Sequence, residues 1–482
     1  MNEIDFKDLR ICVLLPDYST TDVDYQHYDP PRNLSTLLPE AHVDHVFLNK
    51  LTTYKQIREA SKNNYDVYVN LCEGYLDWSV PSIDVIQTLE LLELPYTGPN
   101  ALLYDPTKDL MKYVAYTQGV MTPGYKVIFK KEQINEPVTP LQFPVFIKPA
   151  KAGDSLGIDQ DSLCRDEASK KKKCLAVFDE YAPLLVEEYI DGREFTVLVM
   201  RKPDNSIEAF DPVEYLFPKS FAFKTYALKT SELHPDSNVR VADKALSESL
   251  KRSAIKIFSG FGGVGYARLD FRSNKNNDLY FLEINFTCSV FYTDGYGGSA
   301  DFILKASGVS SRDFLKGIIK EGMSRHQQKK KVYKMSGDSV SGYGIYANRN
   351  IRCGEVIYRG EERAHRIATK SHIDTCWGVE AKENFMKYAY PVSRYVYLLW
   401  DENPAEWAPQ NHCCEANTGY VGLNVVAKRD IEKGEELTLD YGEFLDDTMQ
   451  SFQCSCGKPN CRGMISGIKN NHIDFRESLK TT

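Results

Sequence analysis

The chain switches pattern near Lys331, and that switch limits its possible folds more than any single motif does. Before it, segments of buried-strand character alternate with segments of helical spacing; after it come short runs rich in Gly, Tyr and Val. Alternating strands and helices call for a parallel sheet covered by helices. Short segments with a turn residue about every ten positions call for a mostly β domain. The 482 residues leave room for several domains.

In the first part, "ICVLLP" (Ile11–Pro16) and "YDVYVNLCEG" (Tyr65–Gly74) read as buried strands that run into loops. "SIDVIQTLELLELP" (Ser82–Pro95) reads as a helix stopped by Pro95. Residues 1–104 are therefore expected to form a small α/β domain. Over 105–322, "FPVFIKPAKAGDSLG", "LLVEEYIDGREFTVLVM" and "GYARLDFR…LYFLEINF" are strands carrying charged residues at fixed places, beside the amphipathic helices "RVADKALSESLKRSAIKIFSGFGG" and "SRDFLKGIIKEGMSR". Residues 323–334, with the polar, basic "HQQKKKVYKMS", read as a solvated linker. The mostly β domain spans 335–446, a cysteine-bearing motif 447–468 and a tail 469–482.

A net charge of -8 argues against nucleic acid as a partner, and no run of 18 apolar residues is present to cross a membrane. No N-terminal apolar segment resembles a signal peptide, so the cytoplasm is the expected compartment. There the twelve cysteines are not a disulfide framework.

The first chemical constellation begins at "IKPAKAGDSLG". A strand delivers Lys148, and the loop containing Ser155 offers backbone N–H groups that can form a nest for an anion. "ARLD" puts Arg268 and Asp270 on one face of a strand, and "LEIN" does the same for Glu283 and Asn285. Such acids inside apolar strands need compensation. Oxygen ligands of this kind suit Mg²⁺.

Together, "YTGPNALLYDPTKDLMK", "FPVFIKPAKAGDSLGI", "LLVEEYIDGREFTV" and "LEIN" resemble the ATP-grasp family, and within it the D-alanine–D-alanine ligases, over roughly residues 10–320. The resemblance implies that Lys108 and Lys148 contact the phosphates of ATP, with Ser155 in the loop and Lys224 as a further lysine. It implies that Glu187, Glu188, Tyr189 and Ile190 border the adenine and that Glu194 holds the ribose. Asp270, Glu283 and Asn285 would bind Mg²⁺, and Arg268 would steady the oxyanion. The implied reaction activates a carboxylate as an acyl phosphate, which an amine then converts to an amide. The regions facing the amino acids depart from the ligases: this chain reads "LLPDYSTTDVDYQ", "NLCEGYLDW" and "NFTCSVFYTDGYGG" there. Two D-alanines are thus not the expected substrates.

The second constellation is "SGYG" (Ser341–Gly344), "NHCCEAN" (Asn411–Asn417) and "GEELTLDYG", followed by "CSCGKPNCRG". In this order the four strings resemble the SET-domain protein-lysine methyltransferases with a post-SET zinc motif, over about residues 332–468. The likeness implies that Gly342, Tyr343, Gly344, Asn411, His412 and Tyr441 contact S-adenosylmethionine, with Tyr441 catalytic at the methyl-transfer pore. It supplies Cys414 as the fourth zinc ligand beside Cys454, Cys456 and Cys461, with the adjacent Cys413 as a competitor. Tyr395 and Tyr397 are candidates either for lining the channel or for core packing.

The expected fold class is α+β multidomain: an N-terminal α/β domain, an ATP-grasp fold, a mostly β SET domain and a small zinc-binding tail. The expected function is bifunctional, an ATP- and Mg²⁺-dependent carboxylate–amine ligase joined to an S-adenosylmethionine-dependent N-methyltransferase. The acceptor would be an amino acid, a peptide or a protein lysine. The alternative keeps the methyltransferase and makes the ATP-grasp half a substrate-recognition or regulatory module.

Overall fold

The computed structural model describes residues 4–20, 29–74, 79–151, 156–217, 223, 237–292, 297–329, 331–338, 342–362, 365–399 and 408–467. Ser155, Lys224, Ser341 and the 469–482 tail lie outside the described residues. The chain divides into two compact units, Met1–Lys329 and Lys330–Thr482.

In the first unit, β1 (Arg10–Pro16) lies between β2 (His42–Leu48) and β3 (Val67–Asn70), parallel to both. The expected parallel α/β unit is present, with one strand more than the sequence suggested. β2 was hidden because "HVDHVFL" is largely half-exposed and carries no apolar run. Helices Thr53–Ser61 and Ile83–Leu91 accompany the sheet.

Alternate residues of β1 enter different cores. Cys12 and Leu14 meet Val85, Ile86 and Leu89 of the second helix. Ile11, Val13 and Leu15 join Leu198, Met200 and Tyr266 together with Phe314, Leu315 and Ile318 of helix Ser311–Lys329. Residues 1–104 therefore share a core with strands and a helix from the 198–319 region and do not form a separate body, which corrects the expected boundary at 104.

Two antiparallel sheets complete this unit. β4 (Tyr125–Ile128), β5 (Val145–Pro149), β6 (Leu163–Cys164) and β7 (Leu184–Glu188) run in the order β4-β7-β5-β6. The larger sheet comprises β8 (Glu194–Arg201), β9 (Ile207–Ala209), β10 (Val213–Tyr215), β11 (Asn238–Arg240), β12 (Tyr266–Ser273) and β13 (Leu279–Asn285). Its order is β11-β10-β8-β12-β13, with β9 beside β8.

The period of two in a strand decides what each face carries. Phe195, Val197, Val199, Ala267, Leu269 and Phe271 pack against Leu250, Ala254, Ile257 and Phe258 of helix Lys244–Gly260. Asp243 caps that helix by accepting hydrogen bonds from the backbone of Ala245 and Leu246. The opposite face of β8 and β12 carries Glu194, Thr196, Arg268, Asp270 and Arg272. A register shift after Asp270 pairs Asp270 with Glu283 but Phe271 with Phe281. The extra residue, Leu282, lets Phe281 and Ile284 both reach the helix-side core while Glu283 and Asn285 face the polar side.

Helix Ser311–Lys329 runs through the expected linker. Just ahead of the polar segment, Arg325 ties this helix to the unit: it donates to the carbonyls of Tyr96 (2.8 Å) and Gly98 (3.0 Å) and pairs with Glu321 four residues earlier.

The second unit opens with a hairpin of β14 (Tyr333–Asp338) and β15 (Gly342–Ala347). Next come β16 (Val356–Tyr358), β17 (Ile367–Thr369), β18 (Tyr390–Ser393), β19 (Val396–Leu398), β20 (Thr418–Val421) and β21 (Asn424–Ala427), in sheets ordered β16-β21-β20 and β17-β19-β18. The tail adds β22 (Phe452–Gln453) and β23 (Met464–Ile465). Short sheets dominate, as expected, but helices Lys370–Cys376 and Val379–Tyr388 stand between β17 and β18. Among the described residues no helix is long and apolar enough to cross a membrane.

Candidate functional sites

In the first unit the cross-strand register does the assembling. Arg268 faces Asn285 and Asp270 faces Glu283, so all four expected residues meet at one place on the sheet. The Arg268 guanidinium forks onto Asp270, with Nη2–Oδ2 3.0 Å and Nε–Oδ1 3.3 Å. Glu283 pairs with Lys108 at 3.3 Å. The Asn285 side-chain oxygen accepts from the backbone of Thr287 at 2.9 Å, which bends the chain just past β13. Hard oxygen donors from Asp270, Glu283 and Asn285 fit a Mg²⁺ ion, and Arg268 and Lys108 balance the two carboxylates beside it.

Lys148 and Glu187 occupy neighbouring strands, β5 and β7. Glu187 is buried and bridges two lysines, Lys148 at 2.6 Å and Lys112 at 2.7 Å. The Glu187 carboxylate thus grips two lysines. Burial would raise the Glu187 carboxyl, but Lys112 and Lys148 outweigh it and hold it below the ordinary value. Burial pulls Lys148 down, and the carboxylates of Glu187, Glu283 and Glu194 reverse that, leaving it raised. Lys112, lowered by burial, was not picked out from the sequence. Its signal was the four-residue step from Lys108, which puts both lysines on the buried stripe of helix Lys108–Thr117.

After Glu187 the chain turns. Glu188 accepts from the backbone of Gln142 at 2.9 Å, Tyr189 stacks on Phe146 with centroids 6.2 Å apart, and Ile190 is half-buried beyond it. Glu194 opens β8 and lies 3.5 Å from Arg272 Nε. Arg272 is the second residue here that sequence reasoning missed.

In the second unit, the backbone of Leu439 donates to Asn411 and accepts from Cys413, binding the two motifs into one ladder. The Asn411 amide donates to Glu436 at 2.7 Å. A Cβ at Gly344 would lie 2.6 Å from Glu436 Oε1 and 3.0 Å from Asn411 Nδ2, so a side chain there would make that pair shift. Gly342 adopts φ +74°, in the left-handed region that glycine tolerates. Tyr343 between them is exposed.

His412 Nδ1 accepts from the Tyr441 backbone at 3.1 Å, so the ring hydrogen sits on Nε2, 3.5 Å from Cys414 Sγ. The Tyr441 hydroxyl donates to the Gln410 carbonyl at 2.6 Å. Around Tyr441 stand Phe444, Phe452 and His412, with Tyr390 and Tyr420 packed on Phe444. Tyr397 is core: its ring meets Phe385 edge-on and its hydroxyl bonds Thr448. Tyr395 is exposed.

Sγ atoms of Cys414, Cys454, Cys456 and Cys461 all lie within 4.8 Å of one another. Zinc 2.3 Å from each of four thiolates requires S–S edges of about 3.8 Å, and Cys414 and Cys454 are 3.8 Å apart. Cys414, not the buried Cys413, is the fourth member. Backbone hydrogen bonds from Cys414 and Lys458 push the Cys456 thiol down to about 6, while burial pushes Cys454 up to about 12. A site of this chemistry fits zinc.

The first unit contains a match to the D-ala D-ala ligase C-terminus family, and the second a match to the SET domain family. The family matches cover residues 114–320 and 342–442 respectively. The D-alanine–D-alanine ligase of Aquifex aeolicus (strain VF5) is 27% identical over 199 residues, 41% of this chain and 64% of that protein. D-alanine–D-alanine ligase B of Clostridium tetani (strain Massachusetts / E88) is 34% identical over 207 residues, 41% of this chain and 56% of that protein. The chain thus spans less than two thirds of these relatives' length. Among solved structures, the D-alanine–D-alanine ligase of Bacillus anthracis complexed with ATP matches at TM-score 0.50 and 18% identity, over 67% of this chain and 99% of that one. The ligase of Coxiella burnetii matches at TM-score 0.50 and 19% identity, over 67% and 96%. The ligase-like unit therefore has the ATP-grasp ligase fold, and the SET unit ends in a cysteine cluster suited to a zinc tail.

Proposed function

We propose that the chain is a bifunctional enzyme: a carboxylate–amine ligase dependent on ATP and Mg²⁺, joined to an N-methyltransferase dependent on S-adenosylmethionine. The observation that carries the ligase reading is the cross-strand set of Arg268, Asp270, Glu283 and Asn285 beside Lys108 and Lys148. Asp270, Glu283 and Asn285 would hold Mg²⁺. Bound ATP supplies the phosphoryl group that activates a carboxylate. Lys108, Lys148 and Arg268 contribute positioning and positive charge where negative charge develops. The substrates are an amino acid or peptide other than two D-alanines, because the regions that would face them differ from the ligases.

In the SET unit, bound S-adenosylmethionine supplies a sulfonium methyl group for a lysine or another amine. Gly342, Tyr343, Gly344, Asn411 and His412 would hold the donor. Deprotonating a lysine at pH 7 costs about 4.6 kcal/mol, and a low-dielectric channel lined by Tyr441 would lower that cost by desolvating the cation. Cys414, Cys454, Cys456 and Cys461 would hold a structural zinc, and we place the enzyme in the cytoplasm, where those thiols stay reduced.

The test measures ADP release from Mg–ATP with candidate amino acids, beside mass spectrometry of extract incubated with labelled methyl donor. A labelled small amide together with amine-dependent ADP release supports the bifunctional reading. A labelled protein without ADP release replaces it with a SET methyltransferase whose ligase-like unit recognises substrate. Tyr441→Phe is expected to lower methyl transfer at least tenfold and leave ADP release intact; unchanged methylation would remove Tyr441 from the mechanism.

A further inference from the structure

Arg272 takes no part in the phosphate chemistry above, yet its side chain is buried, 4% exposed, on the polar face of β12. It stands directly across from Glu194 on β8, with Nε 3.5 Å from Glu194 Oε2. Its guanidinium carbon also lies 4.8 Å from the centroid of the Tyr189 ring and 5.8 Å from that of Phe217. One side chain therefore touches both the turn after β7 and the carboxylate that opens β8.

Position along β12 gives these contacts a meaning. Residues two apart on a strand are about 7 Å apart on one face. Moving along the strand, the face presents Arg268 with Asn285, then Asp270 with Glu283, then Arg272 with Glu194. Glu194 is also one of the carboxylates that raise Lys148, so it faces the same centre as the lysines. If the triphosphate lies at Lys148, Asp270 and Glu283, the next pair along the strand meets the sugar, and the Tyr189 ring beyond it meets the base. An ionised carboxylate only accepts hydrogen bonds, which suits it to sugar hydroxyls. A planar guanidinium fixes a carboxylate's orientation better than a lysine does.

We infer that Arg272 is a positioning residue that holds Glu194 as the acceptor for ribose hydroxyls and braces Tyr189, so that the site prefers ribonucleoside over deoxyribonucleoside triphosphates. This rests on the ligase reading of the first unit.

The test measures calorimetric binding of Mg–ATP, Mg–2′-deoxy-ATP and Mg–3′-deoxy-ATP to the full chain, as wild type, Arg272→Met and Arg272→Lys. Wild type is expected to prefer ATP over at least one deoxy analogue by about tenfold or more, the effect of one hydrogen bond to a charged group. In Arg272→Met the ratio falls to within about twofold, and Arg272→Lys lies between. Equal binding of all three by wild type overturns the inference, as does an unchanged ratio in folded Arg272→Met, with folding checked by circular dichroism. Should the Met variant fail to fold, an unchanged ratio in Arg272→Lys overturns it. Wild type that binds no ATP would sink the ligase reading itself, a result distinct from binding without discrimination.

Discussion

Replacing Cys414 by serine removes one of four sulfur atoms that lie within 4.8 Å of one another, and the cost can be worked from the geometry. The Cys414–Cys454 separation of 3.8 Å already matches an edge of a zinc–thiolate tetrahedron, so the metal needs little rearrangement to bind. Structural zinc in small domains contributes about 10–16 kcal/mol. Divided equally over four thiolates, each ligand stands for about 2.5–4 kcal/mol, or about two to three orders of magnitude in affinity. Purified full-length wild type, Cys414→Ser and Cys413→Ser would be compared by zinc content after dialysis and by competition with a chelator. Wild type and Cys413→Ser are expected to hold one zinc with similar affinity, and Cys414→Ser to bind at least a hundredfold more weakly. The reasoning fails if Cys414→Ser keeps wild-type affinity, or if Cys413→Ser loses as much.

Gly344→Ala would place a methyl 2.6 Å from Glu436 Oε1 and push that carboxylate from its place against Asn411. Calorimetry should show methyl-donor affinity falling about tenfold, and wild-type affinity would count against the site. Glu187→Gln leaves Lys112 and Lys148 without their shared carboxylate and should cost about 3–5 kcal/mol at pH 7. Because the folded Glu187 carboxyl lies below its ordinary value, its stabilisation is present above about pH 4.3 and is lost as pH falls through the folded value. Urea titrations should therefore show the wild-type advantage shrinking toward acid; a gap independent of pH would refute the pairing.

The residues whose chemistry is local were legible in the sequence. Arg268, Asp270, Glu283 and Asn285 could be placed on common faces because a strand's period of two is fixed, though their mutual register could not. The bulge at Leu282 and the cross-strand partners arise from tertiary pairing, which leaves little trace in the string. Lys112 and Arg272 escaped notice because a lone basic residue in an amphipathic segment reads as surface charge until its partner, Glu187 or Glu194, is known to be buried beside it. Arg325, at the start of the expected linker, is a related case: it looks solvated, but it bonds to carbonyls more than two hundred residues away in sequence. Choosing Cys414 over Cys413 rested on the resemblance to the SET family, whose cysteine position Cys414 occupies. Tyr397 shows the opposite case, since nothing in "YVYLLW" distinguishes a channel tyrosine from one sealed against Phe385.

The core that joins Ile11, Val13 and Leu15 to Leu198, Met200 and Phe314 has a consequence for how such a chain can be dissected or inherited. Cutting where the sequence texture first changes, near Asp105, would leave two fragments, each with an oily wound where the other had been. Recombination cannot trade the opening strands for another substrate-reading segment without rebuilding that seam. New specificity in this unit is therefore expected to accumulate by point changes in loops.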